Sequence, residues 1–160
     1  MKNKLLKQHL LGKVKAFVYI VEFQKQGLPH AHFLLIIDGR YKLTCREQYE
    51  RIISAEILDE LKYPRLYDLV KKHMIHGPCG KLNINCPCTK GRDSCKNHYP
   101  WKFNEATMQG KDSYPLYRRR KDGRTIDVRK CNLHNRWVVS YNRICCSIPT
   151  AISMLKPVQV

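Results

Sequence analysis

Apolar, β-branched and aromatic residues run almost unbroken through VKAFVYIVEF, Val14 to Phe23, and again through HAHFLLII, His30 to Ile37. Runs of this length and composition predict β-strands, because such side chains pack well on a pleated surface. The connector KQGLP joins them, with Gly27 supplying the turn and Pro29 fixing φ at the entrance to the second strand. Asp38–Gly39 ends that strand, and the pair reads as a hairpin. Thr44 is placed to cap a helix opening at Cys45 (CREQYERII), with Glu47 reaching back to the cap and the helix ending near Ser54. Leu66, Leu69, Val70 and His73 or Met74 recur at three to four residues, which predicts a second helix from Arg65 to about Met74. Residues 77–113 are rich in Gly, Pro, Asn, Cys and Lys and show little periodicity. Tyr114–Arg119 and Thr125–Val128 flank KDGR, which predicts a hairpin turning at Asp122–Gly123. WVVSY, Trp137–Tyr141, is a further strand candidate. The first ten residues read as a frayed helix or a remnant, and the closing ICCSIPTAISMLKPVQV predicts no element. There is no internal repeat. The expected fold is α+β with a mostly antiparallel sheet, interrupted by a cysteine-rich insertion.

Charge changes the picture most. The 160 residues carry a formal charge of +17. Residues 62–130 alone hold 17 Lys+Arg against 6 Asp+Glu, including RRRK at Arg118–Lys121. A compact body this basic repels itself unless a polyanion relieves it. Nucleic acid is the leading partner, since backbone phosphates reward dispersed cations. No apolar run is long enough to span a bilayer, and the start does not read as a secretory signal, so no membrane partner is expected.

Two clusters carry candidate chemistry. On a strand, His30 and His32 point to one face while Ala31 and Phe33 point to the other. Two imidazoles so placed can share a divalent cation, and the preceding strand offers Glu22 and Gln24 as oxygen ligands. Such a set suits Mn²⁺, Mg²⁺ or Zn²⁺ and would polarise a phosphate. The bland alternative is two hydrogen-bonded histidines on a sheet. The second cluster is HMIHGPCGKLNINCPCTKGRDSCKNH, which places His73, His76, Cys79, Cys86, Cys88, Cys95 and His98 within 26 residues. Four of the eight cysteines fall here. Clustered cysteines beside histidines, without a secretory signal, read as zinc ligands rather than a disulfide framework. The spacing matches no standard finger, and a loop of reduced thiols is the alternative. Cys45, Cys131 and Cys145–Cys146 read as small apolar side chains or incidental thiols.

GKVKAFVYIVEFQKQGLPHAHFLLII resembles the N-terminal replication-initiator segment of Helitron transposases, the "Helitron helicase-like" domains. So do ISAEI (53–57), LYDLVKKHMIHGPCG (66–80), FNEAT (103–107), YPLYRRRKDG (114–123) and NRWVVSYN (135–142). The resemblance divides the chain into an N-terminal remnant (1–11), a domain fragment (12–142, with the insertion at 73–98) and a divergent tail (143–160). It implies an HUH-type nuclease fold, incomplete at its C-terminus. In that family the histidine–hydrophobic–histidine motif holds a divalent ion, Mn²⁺ or Mg²⁺, that positions a phosphate of single-stranded DNA. A tyrosine then attacks to form a 5′-phosphotyrosine link. The ligand role is thereby implied for His30 and His32, with Glu22 favoured as the third ligand and Gln24 as the alternative. Cys79, Cys88 and Cys95 resemble cysteines of the family segment, Cys86 looks like an extra, and His76 or His98 would complete the zinc set.

The family's nucleophiles lie in a motif resembling KYxxKY beyond NRWVVSYN, and no tyrosine here stands in that context. No GxxxxGK[ST] occurs either, so neither helicase nor ATPase activity is expected. The expected identity is therefore a rolling-circle transposase fragment truncated before its catalytic tyrosines. The alternatives are a catalytically inactive DNA-binding remnant and an unstable degenerate fragment. Lys71, Lys72, Lys81, Lys90, Arg92, Lys96 and Lys102 would line a path for single-stranded DNA, extended by Arg118, Arg119, Arg120 and Lys121. Trp101 and Phe103 would stack on bases or pack in the core. A chromosomal DNA substrate implies the nucleus.

Overall fold

The computed structural model describes residues 6–9, 11–23, 29–110 and 115–146. The chain falls into two compact units, Met1–Thr44 and Cys45–Val160. The span 12–142 expected as one domain crosses that boundary.

The first unit is the expected hairpin. Strands β1 (Val14–Phe23) and β2 (Pro29–Ile37) pair antiparallel, with Glu22 opposite His30 and Ile20 opposite His32. Directly opposed residues share a face, so Glu22 joins the face that carries both histidine positions. Gln24 lies outside the described residues. Beyond β2, Asp38 accepts from Arg40 N–H at 3.1 Å and starts a single 3₁₀ turn, Gly39–Tyr41. Phe17, Val18, Tyr19, Ile20, Val21 and Phe23 are all exposed, as are Leu34 and Ile36.

The second unit is α+β. Helix α1 (Arg46–Ile52) starts one residue later than expected, with Cys45 rather than Thr44 at the N-cap. Gln48, not Glu47, occupies the third helical position and accepts from the Cys45 N–H at 3.5 Å. Strand β3 (Ile53–Ser54) follows directly. Helix α2 (Pro64–His73) opens on proline, whose missing N–H costs nothing in a first turn. The unit continues with β4 (Met108–Gln109), β5 (Pro115–Leu116), β6 (Thr125–Val128), β7 (Cys131–His134), β8 (Tyr141–Asn142) and α3 (Arg143–Cys146).

No continuous sheet forms among the described residues. The ladders are four separate antiparallel pairs: β1–β2, β3–β8, β4–β5 and β6–β7. The hairpin expected to turn at Asp122–Gly123 is not there. Thr125–Val128 pairs instead with Cys131–His134, across a turn in which Arg129 and Lys130 take φ values of 50° and 66°. Two successive left-handed residues match the right-handed twist of the flanking strands. Gly123, at φ 77°, bends the chain without pairing it. WVVSY is likewise no continuous strand: Asn135–Trp137 is a 3₁₀ turn, Val138 bridges Ile75, and only Tyr141 of that run belongs to β8.

The main core holds Ile57, Leu58, Val70, Met74, Ile126, Val138, Tyr141 and Cys146. A second cluster of Cys79, Cys95, Leu133 and Trp137 packs beside it, and Ile75 and Val128 border both. Buried polar groups cross-link the unit. Asn135, 1% exposed, accepts from Ile57 N–H at 2.7 Å and donates to Arg120 O and Asp122 Oδ1. Glu56 takes three donors from Arg120, each at 2.9 Å.

Candidate metal centre

The centre begins where α2 ends. Met74 caps the helix and Ile75 bridges Val138, while the His76 N–H donates to Trp137 O at 2.8 Å. These backbone bonds fix His76 at the edge of the core. Its ring lies parallel to Tyr99, with centroids 4.1 Å apart, and to Trp137 at 6.4 Å. The chain then coils back on itself. Gly80 adopts φ +65°, and a Cβ there would meet the Asp93 carbonyl oxygen at 2.8 Å, so the two loop limbs touch through backbone. Thr89, wholly buried, donates its hydroxyl toward Ile84 O and Cys86 O. Lys96 N–H donates to Cys88 O at 3.0 Å.

The result is convergence of four side chains. The ligand atoms of His76, Cys79, Cys88 and Cys95 all lie within 4.8 Å of one another. His76 Nε2 stands 3.4 Å from Cys79 Sγ, 3.5 Å from Cys88 Sγ and 3.4 Å from Cys95 Sγ. Zinc bonded tetrahedrally at about 2.3 Å to sulfur and about 2.0 Å to imidazole sets N···S edges of about 3.5 Å. The donor set and its dimensions fit that ion.

Electrostatics agree. Burial, with the neighbouring thiols, pushes the Cys79 thiol well above its ordinary range, and burial also raises Cys88. Burial works against Cys95 as well, yet the Tyr99 and Asn97 backbone N–H groups and the neighbouring thiols hold it below its usual value. Burial lowers His76, which favours the neutral imidazole that a metal requires. Three thiolates this close are tolerable only with a cation between them, and such an ion lowers thiol pKa values directly. The group can therefore coordinate one metal ion.

Two candidates fall outside the cluster. Cys86 turns away and donates Sγ–H to Pro78 O at 3.1 Å. His98 is exposed and meets Trp101 edge-on, with centroids 5.9 Å apart. Of the two histidines weighed as fourth ligand, His76 is the one brought in.

In the first unit, His32 Nε2 lies 3.5 Å from Glu22 Oε2, with both side chains exposed. The His30 side chain lies outside the described residues. Glu22 and His32 are compatible with joint ligation, but the cysteine loop holds the one convergent group of three or more ligands among the described residues.

The basic residues divide sharply. Lys71, Lys72, Lys81, Lys90, Arg92, Lys96, Lys102 and Lys121 are exposed. Arg119 is not, and its place on a phosphate path needs correcting. It is 6% exposed, and its Nη1 donates to the carbonyls of Ala55, Asn135 and Val138. Arg118 pairs with Glu50 at 2.6 Å and Arg120 with Glu56 at 2.9 Å. Each arginine of RRRK has a carboxylate or carbonyl partner in the fold, although 42% of the Arg120 side chain stays exposed. Trp101 and Phe103 are half-buried, against Arg119 and Arg136 respectively.

Fold and site together define an α+β chain carrying a Cys₃His metal-binding loop. Residues 1–35 match the family described as "Helitron helicase-like domain at N-terminus". That match takes in residues 1–11, β1 and the His-Ala-His part of β2. No curated protein matches the chain. Among the described residues no helix is long and apolar enough to cross a membrane.

Proposed function

We infer that this chain is a Helitron-related module that binds single-stranded DNA around a structural zinc ion, without cutting it. The observation that carries this is the Cys₃His cluster, set in a strongly basic unit of a chain whose first strands match a Helitron domain. Zinc held by four protein ligands leaves no open position for substrate, so its role is to order the loop.

Three tyrosines of the second unit, Tyr99, Tyr117 and Tyr141, are poorly suited to nicking, whereas Tyr19, Tyr41 and Tyr63 are exposed. A nucleophilic tyrosine needs an exposed hydroxyl whose proton leaves easily. Burial raises Tyr99 and Tyr117 instead, and raises Tyr141 to about 12. The Tyr141 hydroxyl donates to Glu56 O at 3.0 Å as part of the core.

A second reading rests on the hairpin. Glu22, His32 and, by strand register, His30 share one face, the arrangement expected of an HUH endonuclease. Mn²⁺ or Mg²⁺ held there would polarise a scissile phosphate. That reading makes the chain a nicking and joining enzyme, and either reading places it in the nucleus.

Incubating folded, zinc-loaded protein with labelled single-stranded DNA and Mn²⁺, beside His32→Ala, separates the two. Binding without nicks, preserved in the variant, is expected. A protein–DNA adduct that survives denaturation and disappears in His32→Ala would establish the enzyme instead.

A further inference from the structure

We propose that the metal loop itself is the phosphate-binding surface of the second unit, and that it becomes competent only when the Cys₃His site is filled. The inference rests on reading that cluster as an occupied zinc site and adds where the nucleic acid lies and what controls its binding.

The argument starts from which cations lack counter-charges. Arg118, Arg120 and Arg124 all stand in ion pairs. Lys81, Lys90, Arg92 and Lys96 do not: among the described residues, no carboxylate lies within ion-pair distance of any of them. All four are exposed, and the loop of residues 77–98 that carries them contains one acidic residue, Asp93. Charges of one sign gathered on a short segment repel each other, and a polyanion relieves that repulsion.

The second step is what holds these cations in place. Lys96 N–H is bonded to the carbonyl of the ligand Cys88. Lys90 N–H is bonded to Cys86 O and Arg92 N–H to Thr89 O, the residues flanking Cys88. Lys90 and Gly91 both hold left-handed backbone, at φ 48° and 80°. A lysine gains nothing intrinsically from that conformation, so it persists only where surrounding structure imposes it. Here the surroundings are the backbone of Ile84, Cys86 and Thr89, on either side of the ligand Cys88. Without the metal, three thiols and an imidazole remain to hold a segment that has no helix or strand of its own. The cations would then scatter over many conformations.

A loop without helix or ribbon has nothing to insert into a duplex groove. At its end stand His98, exposed, and Trp101, half-exposed, whose rings meet edge-on. Phosphate contacts beside an accessible aromatic suit a single strand, whose bases can unstack and lie on a ring.

The test uses the whole chain and a fluorescent oligothymidylate, with affinity measured by anisotropy over a range of salt and bound zinc measured in parallel. Lys90→Ala with Lys96→Ala (K90A/K96A) is compared with Lys13→Ala with Lys42→Ala (K13A/K42A), exposed lysines of the first unit. The proposal expects K90A/K96A to keep one zinc and its circular dichroism. Its salt dependence, log K against log salt, should flatten by about 1.4, roughly 0.7 for each phosphate contact on a single strand. K13A/K42A should leave the slope unchanged, and the metal-free chain should bind weakly until zinc is restored. Equal losses in both double variants would mean diffuse attraction and overturn the proposal. So would a metal-free chain that binds as tightly as the zinc form, while leaving the zinc reading intact. A chain that takes up no zinc fails at the underlying reading and takes the proposal with it.

Discussion

Replacing Arg119 by methionine keeps an unbranched apolar stem and removes the guanidinium. Its Nη1 serves the carbonyls of Ala55, Asn135 and Val138, which lie on two stretches of the second unit, just after β3 and around the 3₁₀ turn Asn135–Trp137. Asn135 O also accepts the Val138 N–H at 3.2 Å and keeps a partner. The Ala55 and Val138 carbonyls would face a gap. Leaving a buried polar group unsatisfied costs about 1–3 kcal/mol, so two of them cost roughly 2–6. Removing the charge recovers part of this, because burial disfavours the cation and lowers the Arg119 pKa to about 10. The net expectation is a destabilisation of about 2–4 kcal/mol in equilibrium urea unfolding of the zinc-loaded protein. Lys121→Ala, two positions away on an exposed side chain, should shift stability by less than about 0.5 kcal/mol. Measured well below its unfolding midpoint, Arg119→Met should keep nearly all of the parent's DNA affinity. A stable Arg119→Met protein with weakened DNA affinity would refute the assignment of this arginine to the core.

Three further outcomes follow from particular contacts. Gly80→Ala forces a Cβ to 2.8 Å from Asp93 O at φ +65°; it should cost about 1–3 kcal/mol and weaken zinc affinity in a chelator competition. Cys86→Ser and His98→Ala should bind zinc like the parent in the same competition, since neither side chain reaches the cluster. For Glu56, burial opposes ionisation, but the Arg120 hydrogen bonds and the Arg118 and Arg120 charges win and hold its pKa below the ordinary 4.5. Its contribution to stability is therefore complete above about pH 4.5 and is lost as pH falls through the lower native value. Glu56→Gln should be less stable than the parent at pH 7, and the gap should narrow in acid when unfolding is followed by circular dichroism.

How much of this was legible in the sequence depended on how local the cause was. The hairpin was legible because each strand announces itself through its own residues, and alternation alone puts His30 and His32 on one face. The turn at Arg129–Lys130 was not, since neither residue carries the Asn-Gly signature of its backbone conformation, whereas KDGR carries a stronger turn signal and forms no hairpin. The cysteines were legible as a metal cluster. The choice of His76 over His98 was hidden, because it depends on Ile75 bridging Val138 and on Trp137 receiving the His76 N–H, contacts made across some sixty residues of chain. RRRK misled most. A run of cations reads as a surface, and nothing local reveals that Glu50, Glu56 and three carbonyls consume its arginines. Asn135, which ties Ile57 to Arg120 and Asp122, left no signal that composition or period could detect.

The central claim is that His76, Cys79, Cys88 and Cys95 hold one zinc ion. Purified protein should be stripped, titrated with Co²⁺ as a spectroscopic substitute and then with Zn²⁺, beside Cys88→Ser and Cys86→Ser. The account predicts one metal per chain, a tetrahedral cobalt–thiolate spectrum displaced by zinc, loss of that spectrum in Cys88→Ser and its retention in Cys86→Ser. Failure to bind cobalt or zinc, or equal binding by Cys88→Ser, would contradict it.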